Sequence, residues 1–228
     1  MRVLSWNLFH GRAVPGAGHD LRAGFADALA GWEWDVALLQ EVPPWWPPAL
    51  ARACAAQERS ALTSRNALPA LRRLLSERRP DLIKSNGGGA NAILVRTDSA
   101  RIVEERRLLL RRWPERRVCH AVALDDGTWC ANLHAQVHSP ARAHADIARA
   151  AAAALAWAGD APVLLGGDFN VREPSAPGMR RLGGHGVDHV LGRGMSGAEP
   201  AEIPDRGHLS DHAPVIVTLL PHPAAAAR

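Results

Sequence analysis

The stretch "VLLGGDFNV", Val163–Val171, runs through five small or apolar residues into an Asp and an Asn separated by one Phe. Side chains alternate along a strand, so Asp168 and Asn170 are expected on one side and Phe169 on the other. Burying two such polar groups without partners would cost roughly several kcal/mol. Either the fold satisfies them internally, or a polar, charged group is brought to them.

Working outward, other apolar runs end in the same way. "VLSWN" closes on Asn7, and "DVALLQE" on Gln40 and Glu41. "WCANLHAQ" carries Asn132 and His134, two apart and therefore on one face. "GVDHVL" contains Asp188, and "LSDHAPVIV" opens on Asp211 and His212. This donor set is carboxylate and carboxamide oxygen with two imidazoles and no thiol. Hard cations such as Mg²⁺, or Mn²⁺ as a substitute, suit it better than zinc.

The apolar pattern predicts strands at 2–8, 35–40, 81–84, 91–96, 102–110, 118–124, 128–136, 162–165, 187–191 and 213–219. Helices are predicted at 21–30, 48–57, 68–77 and 141–157. The last has Ser139 as N-cap and Pro140 at its first position. "LDDGTW", 124–129, carries the Asp-Gly pair of a hairpin turn. Long antiparallel stretches in mid-chain with helices nearer the ends indicate a mixed α/β (α+β) domain without a regular βαβ repeat. A single domain over residues 1–220 is expected, followed by a disordered tail at 221–228.

The chain has 228 residues, of which 47% are hydrophobic and 22% charged, as in a globular protein with a sizeable core. It carries 27 Lys+Arg against 23 Asp+Glu, a net +4 that only weakly favours a polyanionic partner. Cys54, Cys119 and Cys130 lack metal-site or disulfide spacing. No apolar run is long enough to span a membrane, and the first residues read as a strand, so a cytoplasmic protein is expected. No obligate protein partner is evident.

Together "WN", "QE", "NLH", "GDFN", "VDHVL" and "SDH", with "GGANAIL" at 88–94, resemble the endonuclease/exonuclease/phosphatase superfamily in order and rough spacing. That superfamily includes AP endonucleases, pancreatic-type deoxyribonucleases, sphingomyelinases, inositol-polyphosphate phosphatases and deadenylases. The resemblance implies a four-layer sandwich: two packed, mostly antiparallel mixed β-sheets flanked by helices, with the site at one rim. It implies a Mg²⁺-dependent phosphoesterase in which Glu41 is the main metal ligand, with Asn7 close by and Asp211 completing the shell. Asp168 would activate or orient the attacking water, and Asn170 would position it. His212 would contact the scissile phosphate, oriented by Asp188, and His134 would be a second phosphate contact or the acid for the leaving group. Such chemistry needs cations and N–H donors for the charge gathering on the phosphate oxygens.

Other residues are candidates on weaker grounds. Asn91 follows the glycine run "NGGGA" and could approach a phosphate. Trp45, in "PPWWPP" just after Glu41, could stack on a base or plug the core edge. Asn132 joins them as a substrate contact. Adjacent Asp211 and His212 cannot both face one way in a regular strand, which counts against Asp211 as a direct ligand. The pairs Arg106-Arg107, Arg111-Arg112 and Arg116-Arg117 read mainly as a solvated sheet face, with phosphate binding as the lesser alternative. His138, His189 and His208 read as surface or loop histidines. AP endonucleases usually have a Lys shortly after "QE", which "QEVPPWW" lacks, and the segment 171–186 that often carries substrate-gripping loops is short. These departures imply reduced DNA-groove machinery, but a nuclease acting on DNA or RNA is expected first because phosphodiester cleavage is widespread in the superfamily and the chain is basic. A phosphatase or phosphodiesterase on a small or lipid phosphate comes second, and a non-catalytic phosphate- or nucleic-acid-binding protein third.

Overall fold

The strand "VALLQEV", Val36–Val42, is buried along its whole length except for Glu41. A strand so uniformly apolar must be covered on both faces. In the computed structural model, which describes residues 1–64 and 66–221, it is covered by a second sheet on one side and by helices on the other. The first half of the chain forms β1 (Arg2–Asn7), α1 (Arg22–Gly31), β2 (Val36–Val42), α2 (Pro47–Ala53), β3 (Ala56–Leu62), α3 (Pro69–Arg78), α4 (Pro80–Ile83), β4 (Ala90–Arg96) and β5 (Ile102–Arg111). The second half forms β6 (Arg117–Leu124), β7 (Trp129–His134), α5 (Pro140–Ala158), β8 (Val163–Asp168), β9 (Arg180–His185), β10 (Asp188–Arg193), β11 (Met195–Glu202) and β12 (Val215–Pro221).

One sheet is ordered β11-β12-β1-β2-β4-β3 and the other β5-β6-β7-β8-β10-β9. Only the central pairs β1–β2 and β7–β8 are parallel. Val3, Val36, Leu38 and Ile93 from the first sheet meet Val122, Cys130, Leu164 and Val190 from the second. On the outer side of the first sheet, Leu4, Trp6 and Leu39 pack on Phe25 and Leu29 of α1 and Leu50 of α2. On the outer side of the second, α5 lays Ala143, Ile147, Ala150, Ala151 and Ala154 against Ala131, Leu133 and Leu165. That helical spacing of small residues lets α5 sit close to the sheet, and each fully buried Leu or Ile contributes about 1.5–3 kcal/mol. The result is the expected four-layer sandwich.

Two polar side chains tie the sheets together just below one rim. Asn132 of β7 donates its amide hydrogens to the Leu39 and Ala92 carbonyls of the opposite sheet, both at 2.9 Å. Its Oδ1 accepts from Gln40 Nε2 at 2.9 Å, and Gln40 also donates to the Leu38 carbonyl. Next along β8, Gly167 has φ 139° and lies so close to β7 that a Cβ would collide with the Leu133 carbonyl. Only glycine allows that approach.

Several sequence expectations shift. Residues 81–84 form helical turns, with Pro80 opening α4, and not a strand. The helix expected over 48–57 ends at Ala53, because Ala55 turns through φ 49° into β3. The unforeseen strands β3, β9 and β11 lie at or beside sheet edges and are too polar or glycine-rich to present an apolar run. Pro140 does open α5 after an extended Ser139, and the Asp-Gly turn does join β6 to β7. Pro221 is the last residue of β12 rather than part of a tail; the tail expected from there falls on 222–228, outside the described residues.

Two stability effects follow. Replacing Asn132 with Ala removes its hydrogen bonds to the Leu39 and Ala92 carbonyls and one of the two made by the Gln40 amide, and should lower the unfolding free energy by about 2–4 kcal/mol with an unchanged urea m-value. His120 is buried with Nε2 2.9 Å from Glu105 Oε1. Burial outweighs the attraction of Glu105 and lowers its pKa to about 4. The unfolded chain then takes up this proton first, so the contribution of His120 to stability is complete above about pH 6.5 and fades as pH falls toward 4. Urea titrations over that range should show a shallower acid slope in His120→Gln.

Candidate active site

Register alone brings the polar strand endings together. Asn7 pairs with Gln40 across β1–β2, His134 with Asp168 across β7–β8, and Asp168 with Asp188 across β8–β10. These endings share one rim, which opens into a cleft of about 310 Å³. Glu41 reaches it through a bulge: the β2–β4 pairing slips between Leu39 and Val42, and Glu41 has φ 51°. Phe9, His10, Asn170 and Ser210 are likewise left-handed, each at this rim. Such a backbone costs on the order of 1 kcal/mol per residue and gathers at functional sites.

Asp168 is the centre. Its Oδ1 accepts from the Asn170 peptide N–H at 2.9 Å, and its Oδ2 from Asn7 Nδ2 at 3.0 Å. The same Oδ2 lies 3.6 Å from His134 Nε2 and 3.7 Å from His212 Nε2. Those separations exceed hydrogen-bond reach, so a carboxylate and two imidazoles frame a gap suited to an oxygen of water or phosphate. His134 Nε2 is also 3.9 Å from Glu41 Oε1, while Glu41 Oε2 is 3.1 Å from His10 Nε2.

His212 is held from every side. Its Nδ1 is 2.8 Å from Asp188 Oδ2, its peptide N–H donates to Ser210 Oγ, and its carbonyl accepts from the Trp6 indole. Ser210 in turn donates to the Asn7 carbonyl at 2.6 Å. Burial works against a charge on His212, yet the Asp188 hydrogen bond and the carboxylates of Asp188, Asp168 and Asp211 raise its pKa to about 9. Burial raises Asp188 to about 6 against that same hydrogen bond, and raises Asp168 as well. His134 goes the other way: burial, helped by the positive Arg117 and His212, drives it well below the ordinary range. Of the two imidazoles beside Asp168, His212 therefore carries the charge at neutral pH and His134 is neutral.

The structure brings Asn7, Glu41, His134, Asp168, Asn170, Asp211 and His212 to the cleft lining, with Asp188 behind His212. Asp211 and His212 both reach the cleft because they sit in a bend before β12, where strand alternation does not apply. Three candidates lie elsewhere. Asn132 has its amide fully engaged between the sheets, Asn91 is buried and donates to the Val118 carbonyl, and Trp45 packs against the first sheet's outer core. His189, expected at the surface, is buried beside Phe169. Sequence reasoning assigned no role to His10, Arg12, Ser210 or Trp6, although "WNLFHGR" and "LSDH" contain them; only their folded positions show what they do.

The ligand atoms of Asp168, Asp188 and His212 lie within 4.8 Å of one another and could hold a cation. The Nδ1 of His212 already faces Asp188, however, which leaves only Nε2 toward the cleft. Glu41 and Asp211 line the same cleft beside the buried Asn7, whose Oδ1 also accepts from the Phe9 peptide N–H, and these hard oxygen donors fit a divalent ion with water and phosphate completing its shell.

Facing sheets whose rim gathers carboxylates, an amide and imidazoles suit the hydrolysis of a phosphoester. The Endonuclease/Exonuclease/phosphatase family model matches residues 4–212, and the chain belongs to that family of metal-dependent phosphoesterases. No curated protein matches in sequence. Among solved structures, an endonuclease/exonuclease/phosphatase from Bacteroides vulgatus is 13% identical with a TM-score of 0.72, over 97% of this chain and 98% of that one. A mannosyl-6-phosphatase from Bacteroides thetaiotaomicron is 17% identical with a TM-score of 0.67, over 96% and 99%. A truncated TDP2 from Caenorhabditis elegans is 16% identical with a TM-score of 0.67, over 96% of each. At these identities the likeness is one of fold.

Because His212 owes its raised pKa to Asp188, Asp188→Asn should move the His212 imidazole resonance's midpoint from about 9 down toward the ordinary 6.5 in an NMR titration. The turnover number should fall about 10- to 100-fold.

Proposed function

We propose that this chain hydrolyses phosphodiester bonds of nucleic acid with the help of a divalent cation, Mg²⁺ or in its place Mn²⁺. The observation that carries this reading is Asp168 Oδ2 standing 3.6 and 3.7 Å from the two imidazole nitrogens. Glu41, with Asn7 and Asp211, would hold the cation, which when bound neutralises charge on the phosphoryl oxygens and the leaving oxygen. Asp168 orients the attacking water and accepts its proton, since its other oxygen is pinned by the Asn170 peptide N–H. Asn170, anchored through Nδ2 to the Ala135 carbonyl, turns the free end of its amide to the same water.

The His212 imidazolium donates Nε2–H to a non-bridging phosphate oxygen, with Asp188 fixing the ring. Neutral His134 donates to a second oxygen or to the leaving group. Arg12 and Arg117 line the cleft and add positive potential; burial lowers the pKa of each against nearby carboxylates without discharging it. The work is assigned to a single domain over residues 1–220. No described helix is long and apolar enough to cross a membrane. The free cysteines Cys54, Cys119 and Cys130 are buried and suit a reducing cytoplasm.

A second substrate class is favoured by the cleft's volume. About 310 Å³ accommodates a sugar phosphate or mononucleotide as readily as a strand, and a mannosyl-6-phosphatase shares the fold.

Purified protein with Mg²⁺ or Mn²⁺ should be offered single-stranded DNA and RNA, plasmid DNA, a chromogenic phosphodiester and sugar or inositol phosphates. Cleavage of nucleic acid is expected to fall at least about 100-fold in Asp168→Ala and His212→Ala, and to vanish with a chelator. Hydrolysis confined to the small phosphates would select the second class. Full activity of Glu41→Ala in chelator would overturn the metal assignment.

A further inference from the structure

A second hollow, of about 300 Å³, adjoins the cleft and shares Thr63, Ser64, Glu115 and Arg116 with its lining. Its other wall is Arg112 and Pro114, from the segment joining β5 to β6. Trp113, between those two, is 81% exposed, a high value for so large an apolar side chain. A singly exposed hydrophobic residue is common on protein surfaces. The neighbouring guanidinium groups give this one its meaning.

The β5–β6 hairpin carries six arginines, and four are neutralised by carboxylates. Arg106 pairs with Glu104, Arg107 with Glu105, Arg111 with Asp146 and Arg117 with Glu115. Arg112 and Arg116 alone have no carboxylate partner among the described residues, and both are exposed. These two bracket the exposed indole. Two unneutralised guanidiniums line a hollow continuous with a phosphoesterase cleft, and the bare indole stands next to it in the chain, between Arg112 and Pro114, so an anion contact and a stacking face lie close together. A nucleotide presents both complements at once.

We infer that the Arg112–Arg116 hairpin tip is a subsite for the unpaired nucleotide adjoining the scissile phosphate, with Arg112 and Arg116 on its phosphate and Trp113 against its base. This rests on the reading of the chain as a nuclease. It goes further in naming the strand form: stacking on Trp113 needs a base whose face is free, so the subsite selects single strands over duplex. It carries no base preference, because every base has a face to offer.

The test uses the full chain in an Asp168→Ala background, so that the strand stays intact, and a short fluorescently labelled oligothymidylate read by anisotropy. Trp113→Ala should weaken binding about 5- to 100-fold, while Trp113→Phe restores most of it. Arg112→Ala should reduce the slope of log affinity against log salt by about 0.7, the value for one phosphate contact on a single strand. Both side chains are exposed, so folding is not at stake. Equal affinity of Trp113→Ala and its parent, or no binding by the parent, would overturn the subsite. Trp113-dependent binding by a protein that hydrolyses only small phosphates would retire the nuclease reading and leave the subsite standing.

Discussion

The sandwich depends most on the amide of Asn132 reaching across to the other sheet. Apolar layers between sheets resist separation but are indifferent to sliding, since burial has no direction. Hydrogen bonds from Asn132 to the Leu39 and Ala92 carbonyls and to Gln40 fix where β7 sits against β2 and β4. Everything at the rim inherits that registration. Glu41 follows Gln40 by one residue and His134 follows Asn132 by two, and they face each other across the opening. A buried polar network of this kind favours one alignment because every other leaves its members unpaired.

Above the clamp, the site works by setting similar groups apart. Two histidines stand almost equally far from the same carboxylate oxygen, yet one is charged and the other is not. His212 has a buried carboxylate at its back, and His134 has only burial and neighbouring positive charge. One chemical type thereby stands as a cation and as a neutral ring side by side. The price is a ring of left-handed residues, from Phe9 to Ser210, that the surrounding sheets must hold in place.

How much of this was legible can be judged from β7. "NLH" correctly put Asn132 and His134 on one face, and both do point between the sheets. Alternation gives the side of a strand but not the depth, and depth is set by a partner sheet far away in sequence. Asn132 lies one step too deep to meet solvent. Trp45 and Asn91 misled for a similar reason, because helix α2 and strand β6 cover them. The strand endings Asn7, Glu41 and Asp168 were readable because a polar group that closes a buried run must find its partner at the rim of the sheet. His10 and Ser210 were not, since their positions arise from positive φ angles that no local pattern requires. The edge strands β3, β9 and β11 escaped because an edge satisfied on one side needs no apolar signature.

One arrangement bears on how the protein is born. β1 pairs with β12, and the Ser210 hydroxyl that fastens Asn7 lies 203 positions downstream. During synthesis the nascent chain can assemble the second sheet while β1 still lacks one of its two neighbours. Ser210 and His212 are made only after all six strands of that sheet. The rim is thus completed only after the second sheet's strands have been made, and a polypeptide stopped before residue 210 lacks the imidazole that Asp188 holds toward Asp168.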